Sequence, residues 1–226
     1  MGKRIVILGA MKPEISAYNS RLVNGMWHGN QVYVALAGIG KVAAAATTAQ
    51  LIERYNPDMM IFSGAAGALD ESLDIGDIGV VVGAIDADVD VRSWKPDYER
   101  GRLPFTDSRL YLSDRALVED ALSFRGERLL PSYVATADTF LDAERKKSLA
   151  NSNELIEIIR GQKMKPNMCD METSAFLQVA WRRVPAIAIR VVSDTFEGEA
   201  ARDFDAFMKD AVEHYIPLVG HIVNSA

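Results

Sequence analysis

The chain has 226 residues, 49% of them hydrophobic, enough for one large domain with a full core. A formal charge of −6 lacks the basic footprint of a nucleic-acid partner, and the one cysteine, Cys169, excludes an internal disulfide and fits a reducing compartment. No apolar stretch approaches the ~20 residues that span a bilayer, so no membrane partner is expected.

The first predicted element is a buried strand over 4–9. Lys3-Arg4 followed by Ile5-Val6-Ile7-Leu8-Gly9-Ala10-Met11 mimics a short signal peptide, but Lys12-Pro13-Glu14 follows at once without a small-residue cleavage pattern. A helix starts at Pro13, a residue suited to a first turn. Glu14 reads either as a first-turn acid on the helix dipole or, in company with acids elsewhere, as a functional carboxylate. A hairpin-like pair over 25–29 and 31–37 leads to an alanine-rich helix over 41–55.

Between them, Gly38-Ile39-Gly40-Lys41 matches a loose dinucleotide fingerprint, a loop that brings backbone N–H groups to a phosphate. The next strand, 59–63, ends at Ser63-Gly64 with no ribose-binding acid, so a nicotinamide cofactor is not expected. Ser63-Gly64-Ala65-Ala66-Gly67-Ala68 then reads as a small-residue turn, serving either tight packing or as a floor for a flat ligand.

After a strand over 78–84, Asp86-Ala87-Asp88-Val89-Asp90 copies the opening of a calcium loop. Val91 stands where such a loop needs glycine, so a polar-out strand is the expectation. His28, His214 and His221 have no metal-ligand spacing, and no metal is expected. An irregular stretch to about 105, a helix over 114–123, a strand over 132–136 and helices around 143–160 follow. Arg145-Lys146-Lys147 and Arg182-Arg183 read as solvated helix faces.

A strand over 167–170, a helix over 172–182 and a strand over 185–192 precede the last helix, about 203–224. That helix carries Phe204, Phe207, Met208, Val212, Tyr215, Ile216 and Val219 at three-to-four spacing, so one face packs on the core. Strands alternating with helices imply a three-layer α/β domain with a mostly parallel sheet. Cys169-Asp170-Met171-Glu172 and Arg190-Val191-Val192-Ser193-Asp194 put acids at the ends of two of its strands, where open α/β sheets bind ligands. Such acids suit a site that grips hydroxyls and moves a proton.

Taken in order, these pieces resemble the nucleoside phosphorylase/nucleosidase superfamily, and within it the 5'-methylthioadenosine/S-adenosylhomocysteine nucleosidases. The matching runs are Ile7-Leu8-Gly9-Ala10-Met11-x-x-Glu14, Gly38-Ile39-Gly40-Lys41-Val42-Ala43-Ala44-Ala45, Ser63-Gly64-Ala65-Ala66-Gly67, Gly76-Asp77-Ile78 and Asp86-Ala87-Asp88-Val89. Ala137-Asp138-x-Phe140, Asp170-Met171-Glu172, Arg190-x-x-Ser193-Asp194 and Phe204-Asp205-x-Phe207 complete them.

The resemblance implies a single αβα domain over 1–226 with a mixed, mostly parallel central sheet. It implies hydrolysis of the N-glycosidic bond of an adenine nucleoside, 5'-methylthioadenosine or S-adenosylhomocysteine, with release of adenine. In that reading Asp194 protonates purine N7 and helps read the amino group, with Ser193 beside it at the substrate. Glu14 holds and activates water near Arg190, and Glu172 with the Met171 backbone binds ribose hydroxyls. Phe140 stacks on the base while the Leu141 backbone reads its edge. Met11, Ile39, Met171 and Phe204 line a 5'-alkylthio pocket, which Leu103-Pro104-Phe105 of a neighbouring subunit closes. The implied protein is a cytoplasmic homodimer that takes a small purine nucleoside and needs neither cofactor nor metal.

The chemistry is coherent on its own terms. Cleavage builds an oxocarbenium-like sugar and leaves charge on the purine, so a positioned acid assists by about 10²–10⁴-fold. An ordinary aspartate is ionised at neutral pH, so Asp194 requires burial or a shared proton. A carboxylate holding water across the ring divides the labour as inverting glycosidases do. Phosphate as nucleophile wants cations and N–H groups, and Glu14 opposes it. Three positions depart from the relatives: Ala65 for Ser, Asp170 for Glu and Thr173 for Ala. They leave a futalosine-type hydrolase, a phosphorylase and a non-catalytic nucleoside sensor as alternatives. The segment around 195–205, including Phe196-Glu197-Gly198-Glu199, reads either as a lid that orders on binding or as an ordinary solvated loop.

Overall fold

A computed structural model describes residues 2–159, 162–196 and 204–226. The chain opens with strand β1 (Arg4–Gly9), a short helix α1 (Lys12–Ile15) and a 3-10 turn, Ser16–Arg21. A hairpin of β2 (Met26–Trp27) and β3 (Asn30–Leu36) leads to α2 (Lys41–Tyr55) and the long β4 (Met59–Ala68). Then come β5 (Ile78–Asp86), β6 (Leu110–Leu112), α3 (Arg115–Ser123), β7 (Leu129–Thr136) and α4 (Ala143–Asn151). A small hairpin of β8 (Glu157–Ile159) and β9 (Gln162–Met164) precedes β10 (Met168–Asp170) and α5 (Thr173–Ala180). β11 (Ala186–Asp194) and α6 (Phe204–Ser225) finish it.

The class is α/β and the sheet is mixed. Its hydrogen-bonded order runs β10-β7-β5-β11-β4-β1-β3-β2, with β6 against β5. β1 runs parallel to β3 and β4, β11 to β4, and β7 to β5 and β10. β5 reverses direction against β11, and β10 also pairs antiparallel with β4. That last pairing closes β4, β11, β5, β7 and β10 into a ring, so this part of the sheet curls, whereas an open sandwich leaves such edges apart.

Alternation along the strands explains the packing. In β1, Val6 and Leu8 join the core shared with Leu51 of α2 and Phe176 of α5, while Ile5 and Ile7 join the core beneath α3 and α6. Successive side chains point to opposite faces, so each strand of the sheet centre serves both cores and is largely apolar, with Ser63 of β4 and Arg190 of β11 as buried exceptions. Each such fully buried aliphatic contributes about 1.5–3 kcal/mol. α6 sets Met208, Val212, Tyr215, Ile216 and Val219 into its core, as its spacing predicts.

Three expectations need correction. The 63–68 segment is no turn but the second half of β4, because small residues let other groups press against an extended backbone. The helix expected to continue toward 160 stops at Asn151, where Ser152 leaves helical geometry, and the Ile-rich stretch beyond pairs as β8 with β9. Lys146 does not sit on a solvated face: it is 2% exposed, turned inward beside Leu149 of the same helix.

Candidate active site

β1, β4, β10 and β11 end around one cavity of about 370 Å³, and its lining includes Met11, Glu14, Ile39, Phe140, Leu141, Met171, Glu172, Ser193 and Asp194. The volume suits a nucleoside-sized ligand. Ala65, Ala66 and Gly67 of β4 form part of its wall. Sequence elements far apart are thus brought together by strand ends.

Glu14 is held from two sides. Its Oε2 accepts the Met11 N–H at 2.8 Å, and its Oε1 accepts the Ala65 N–H at 2.9 Å. The first bond makes Glu14 a reverse cap on its own short helix. Its carbonyl accepts the Tyr215 hydroxyl at 2.9 Å, anchoring α1 to α6. Burial pushes the Glu14 carboxyl above its ordinary value, with Arg190 and the backbone N–H groups opposing that rise.

Arg190 does not line the cavity but lies beneath it, 0% exposed in the middle of β11. Its Nε and Nη2 donate to Thr173 Oγ1 at 2.9 and 2.8 Å. Nη2 also pairs with Asp170 Oδ2 at 2.6 Å and lies 3.7 Å from Glu172 Oε2. The guanidinium sits 4.7 Å from the centre of the Phe62 ring, a cation–π contact. Its Nη1 has no hydrogen-bond partner among the described residues. A Cβ on Gly64 would fall 2.3 Å from Glu14 Oε1 and 2.9 Å from that Nη1, so only glycine lets the two approach. A buried donor next to a buried carboxylate forms a ready seat for one small polar molecule.

Glu172 precedes α5. Its Oε1 accepts the Gly40 N–H at 2.9 Å, which ties the glycine loop to this carboxylate. Burial first, and then the Asp170 charge, push the Glu172 carboxyl up to about 7. Thr136 Oγ1 donates to Asp170 Oδ1 at 2.7 Å, and the Thr173 hydroxyl bonds Asp170 Oδ2. The calcium-like stretch does not extend the strand past Asp86, and Asp86 and Asp88, with Asp138, surround Lys41 Nζ at 2.8, 3.1 and 3.2 Å. No group of three His, Cys, Asp or Glu able to hold a metal occurs among the described residues.

At the other end of the cavity, Ser193 and Asp194 both line the wall although they are neighbours on a strand. The register of β11 against β4 shifts here, with Val192 opposite Ala66 and Asp194 opposite Gly67, so Ser193 is the extra residue of a bulge. Ser193 Oγ donates to Asp194 Oδ1 at 2.8 Å, and Asp194 Oδ2 pairs with Lys146 Nζ. Lys146 is the functional candidate that reading the sequence missed. Its signal was faint: it shares an inward face with Leu149, three residues on.

Phe140 is exposed at the rim, Leu141 half-buried. Phe105 stands outside this cavity, 94% exposed and in the left-handed region at φ 64°. The Phe204 side chain and the lid residues 197–203 lie outside the described residues.

The family model of the phosphorylase superfamily matches residues 1–224. A 5'-methylthioadenosine/S-adenosylhomocysteine nucleosidase of Shewanella loihica is 33% identical over 96% of this chain and 96% of its own length, and that of Bacillus licheniformis 32% over the same shares. The nucleosidase of Neisseria meningitidis, solved with methylthio-immucillin-A, superposes with a TM-score of 0.83 at 28% identity, covering 99% of this chain and 100% of the other. A futalosine hydrolase of Helicobacter pylori shares the fold at 24% identity and a TM-score of 0.82, over 99% of this chain and 98% of its own. The cavity, the acids Glu14, Glu172 and Asp194 that line it and these likenesses agree: the chain belongs to the phosphorylase superfamily and, within it, to the 5'-methylthioadenosine/S-adenosylhomocysteine nucleosidases.

Proposed function

We propose that this protein hydrolyses the N-glycosidic bond of 5'-methylthioadenosine and S-adenosylhomocysteine, releasing adenine. The observation that carries the reading is the convergence of Glu14, Glu172 and Asp194 on one cavity. Glu14 and Arg190 Nη1 seat the water that attacks the sugar carbon. Glu172, fixed by the Gly40 N–H, accepts the ribose hydroxyls beside the Met171 backbone. As the sugar flattens toward an oxocarbenium ion, these contacts strengthen, which lowers the barrier where uniform binding would not. The proton for purine N7 comes from the Asp194 end, where carboxylate and Lys146 meet. Phe140 stacks on the base, the Leu141 backbone reads its edge, and Met11, Ile39 and Phe204 receive the 5' group.

Water is favoured over phosphate because two buried carboxylates, Glu14 and Glu172, already occupy the nucleophile and sugar end. A dianion placed there meets like charge without a spare lysine. We further take the chain as one three-layer domain over 1–226, working as a cytoplasmic homodimer in methionine salvage. The exposed Phe105, with Leu103, then reaches a neighbour's cavity, and Ile39 and Val42, both largely exposed at the mouth side of α2, meet that neighbour. No described helix is long and apolar enough to cross a membrane.

The test is incubation of purified protein with each thionucleoside, with and without phosphate. Adenine release independent of phosphate is expected. Phosphate-dependent turnover reassigns the chain as a phosphorylase, and no release from either substrate removes the reading.

A further inference from the structure

The base end of the cavity holds a cation to which the nucleosidase reading gives no specific task. Lys146 is buried, lines the cavity and pairs with Asp194. Its position is built by several elements. Asp142 caps α4, its side chain accepting the Arg145 N–H and its carbonyl the Lys146 N–H, each at 2.9 Å. Gly67 of β4 leaves the space, since a Cβ there would come within 2.7 Å of both Lys146 Cε and Nζ. Cys169 of β10 lies alongside, its Sγ 3.1 Å from the same point. Ser193 and Lys146 between them engage both oxygens of Asp194, so the carboxylate alone is an acceptor-only group.

We propose that Lys146 selects the base: paired with Asp194 it makes a donor edge that accepts a 6-oxopurine as the leaving base in addition to adenine. The proposal rests on the nucleosidase reading and deepens it. Adenine presents an acceptor at N7 and a donor at its 6-amino group, whereas a 6-oxopurine presents acceptors at both places. A carboxyl that gives its one proton to N7 retains only lone pairs for the 6-substituent. Those lone pairs suit the amino group and repel a carbonyl. An ammonium in the same pair has N–H groups to spare, and one of them satisfies the 6-oxygen. Burial holds the Lys146 ammonium below the ordinary lysine value, with the neighbouring Cys169 opposing, which makes its proton easier to share. Recognition of an acceptor by a buried charged donor discriminates by about 10–100-fold.

The experiment compares 5'-methylthioadenosine with 5'-methylthioinosine, which differ only in the base, measuring kcat and KM for the unmodified protein, Lys146→Met and Lys146→Arg. The unmodified protein is expected to release hypoxanthine with a kcat/KM within about tenfold of that for adenine. In Lys146→Met the hypoxanthine-to-adenine ratio is expected to fall by about 10–100-fold, and Lys146→Arg to restore most of it. Adenine release without hypoxanthine release by the unmodified protein overturns the base assignment and leaves the nucleosidase reading standing. Release of neither base removes both. An equal loss of the two activities in Lys146→Met makes the residue merely structural and also overturns the proposal. If that variant does not fold, the base comparison on the unmodified protein decides alone.

Discussion

The two ends of the cavity are charged by opposite rules. At the sugar end, three carboxylates, Glu14, Asp170 and Glu172, gather round the single guanidinium of Arg190. At the base end, one carboxylate meets one ammonium, Asp194 with Lys146. Burial raises both the Glu14 and Glu172 carboxyls, and at Glu172 the neighbouring Asp170 and Glu14 charges add to that rise. A balanced pair instead joins one donor to one acceptor. The contrast separates a region poised to accept hydrogen bonds and protons from one poised to give them, which is the division that breaking a glycosidic bond requires.

The largest expected effect breaks the giving end. Asp194→Asn is expected to lower adenine release by about 10²–10⁴-fold while nucleoside binding, followed by calorimetry, stays largely intact. Normal turnover in that variant would place the acid elsewhere. At the accepting end, Arg190→Met leaves three buried acids without their cation and is expected to cost about 3–5 kcal/mol in denaturant unfolding. A loss below about 1 kcal/mol contradicts the view that one guanidinium balances the cluster.

Glu172 sharpens the comparison through pH. Between its ordinary value of 4.5 and about 7 the folded protein keeps a proton that the unfolded chain releases. Stability therefore falls as pH rises through that window, while the ionised form gained above it binds ribose hydroxyls better. KM is expected to drop severalfold between about pH 6 and about pH 8. Glu172→Gln, which cannot ionise, is expected to be more stable than the unmodified protein at about pH 8, by about 1–2 kcal/mol, and to lose the KM trend. The smallest effect belongs to Thr173→Ala, which removes the hydroxyl shared by Arg190 and Asp170. It is expected to cost about 1–2 kcal/mol, with kcat reduced little. A pH-independent KM or a neutral Thr173→Ala would show that the cluster is organised by contacts other than these.

Reading the sequence alone recovered elements with a strong local signal. Helix 41–55 was placed to the residue, since alanine-rich helical propensity begins after a glycine loop and ends at Asn56 in the left-handed region. β1 and β11 were legible because strands buried on both faces are long apolar runs, interrupted in β11 by Arg190. β6, β8 and β9, each three residues long, were missed because so short a strand is defined by its partner, not by its composition. The acids of the site were found as motifs, and the cavity brings Glu14, Glu172 and Asp194 together. Lys146 was misread because a lysine between Arg145 and Lys147 looks like surface. Its burial depends on Gly67 and Asp194, register partners on β4 and β11 that lie far from it in the sequence. The extension of β4 through 63–68 was likewise invisible, for alanine and glycine are poor strand formers except where close neighbours demand them.

The single break in stride of β11 at Ser193 has a consequence for how such a sequence can change. Exchanges among valine, isoleucine and leucine upstream of it alter only volume, and a core tolerates many of them. Loss or gain of one residue between Arg190 and Asp194 is a different event. It would reverse which way each following side chain faces, sending the acid into the helix-packed interior while leaving hydropathy almost untouched. In this stretch, spacing constrains the site more tightly than the choice of apolar side chain does.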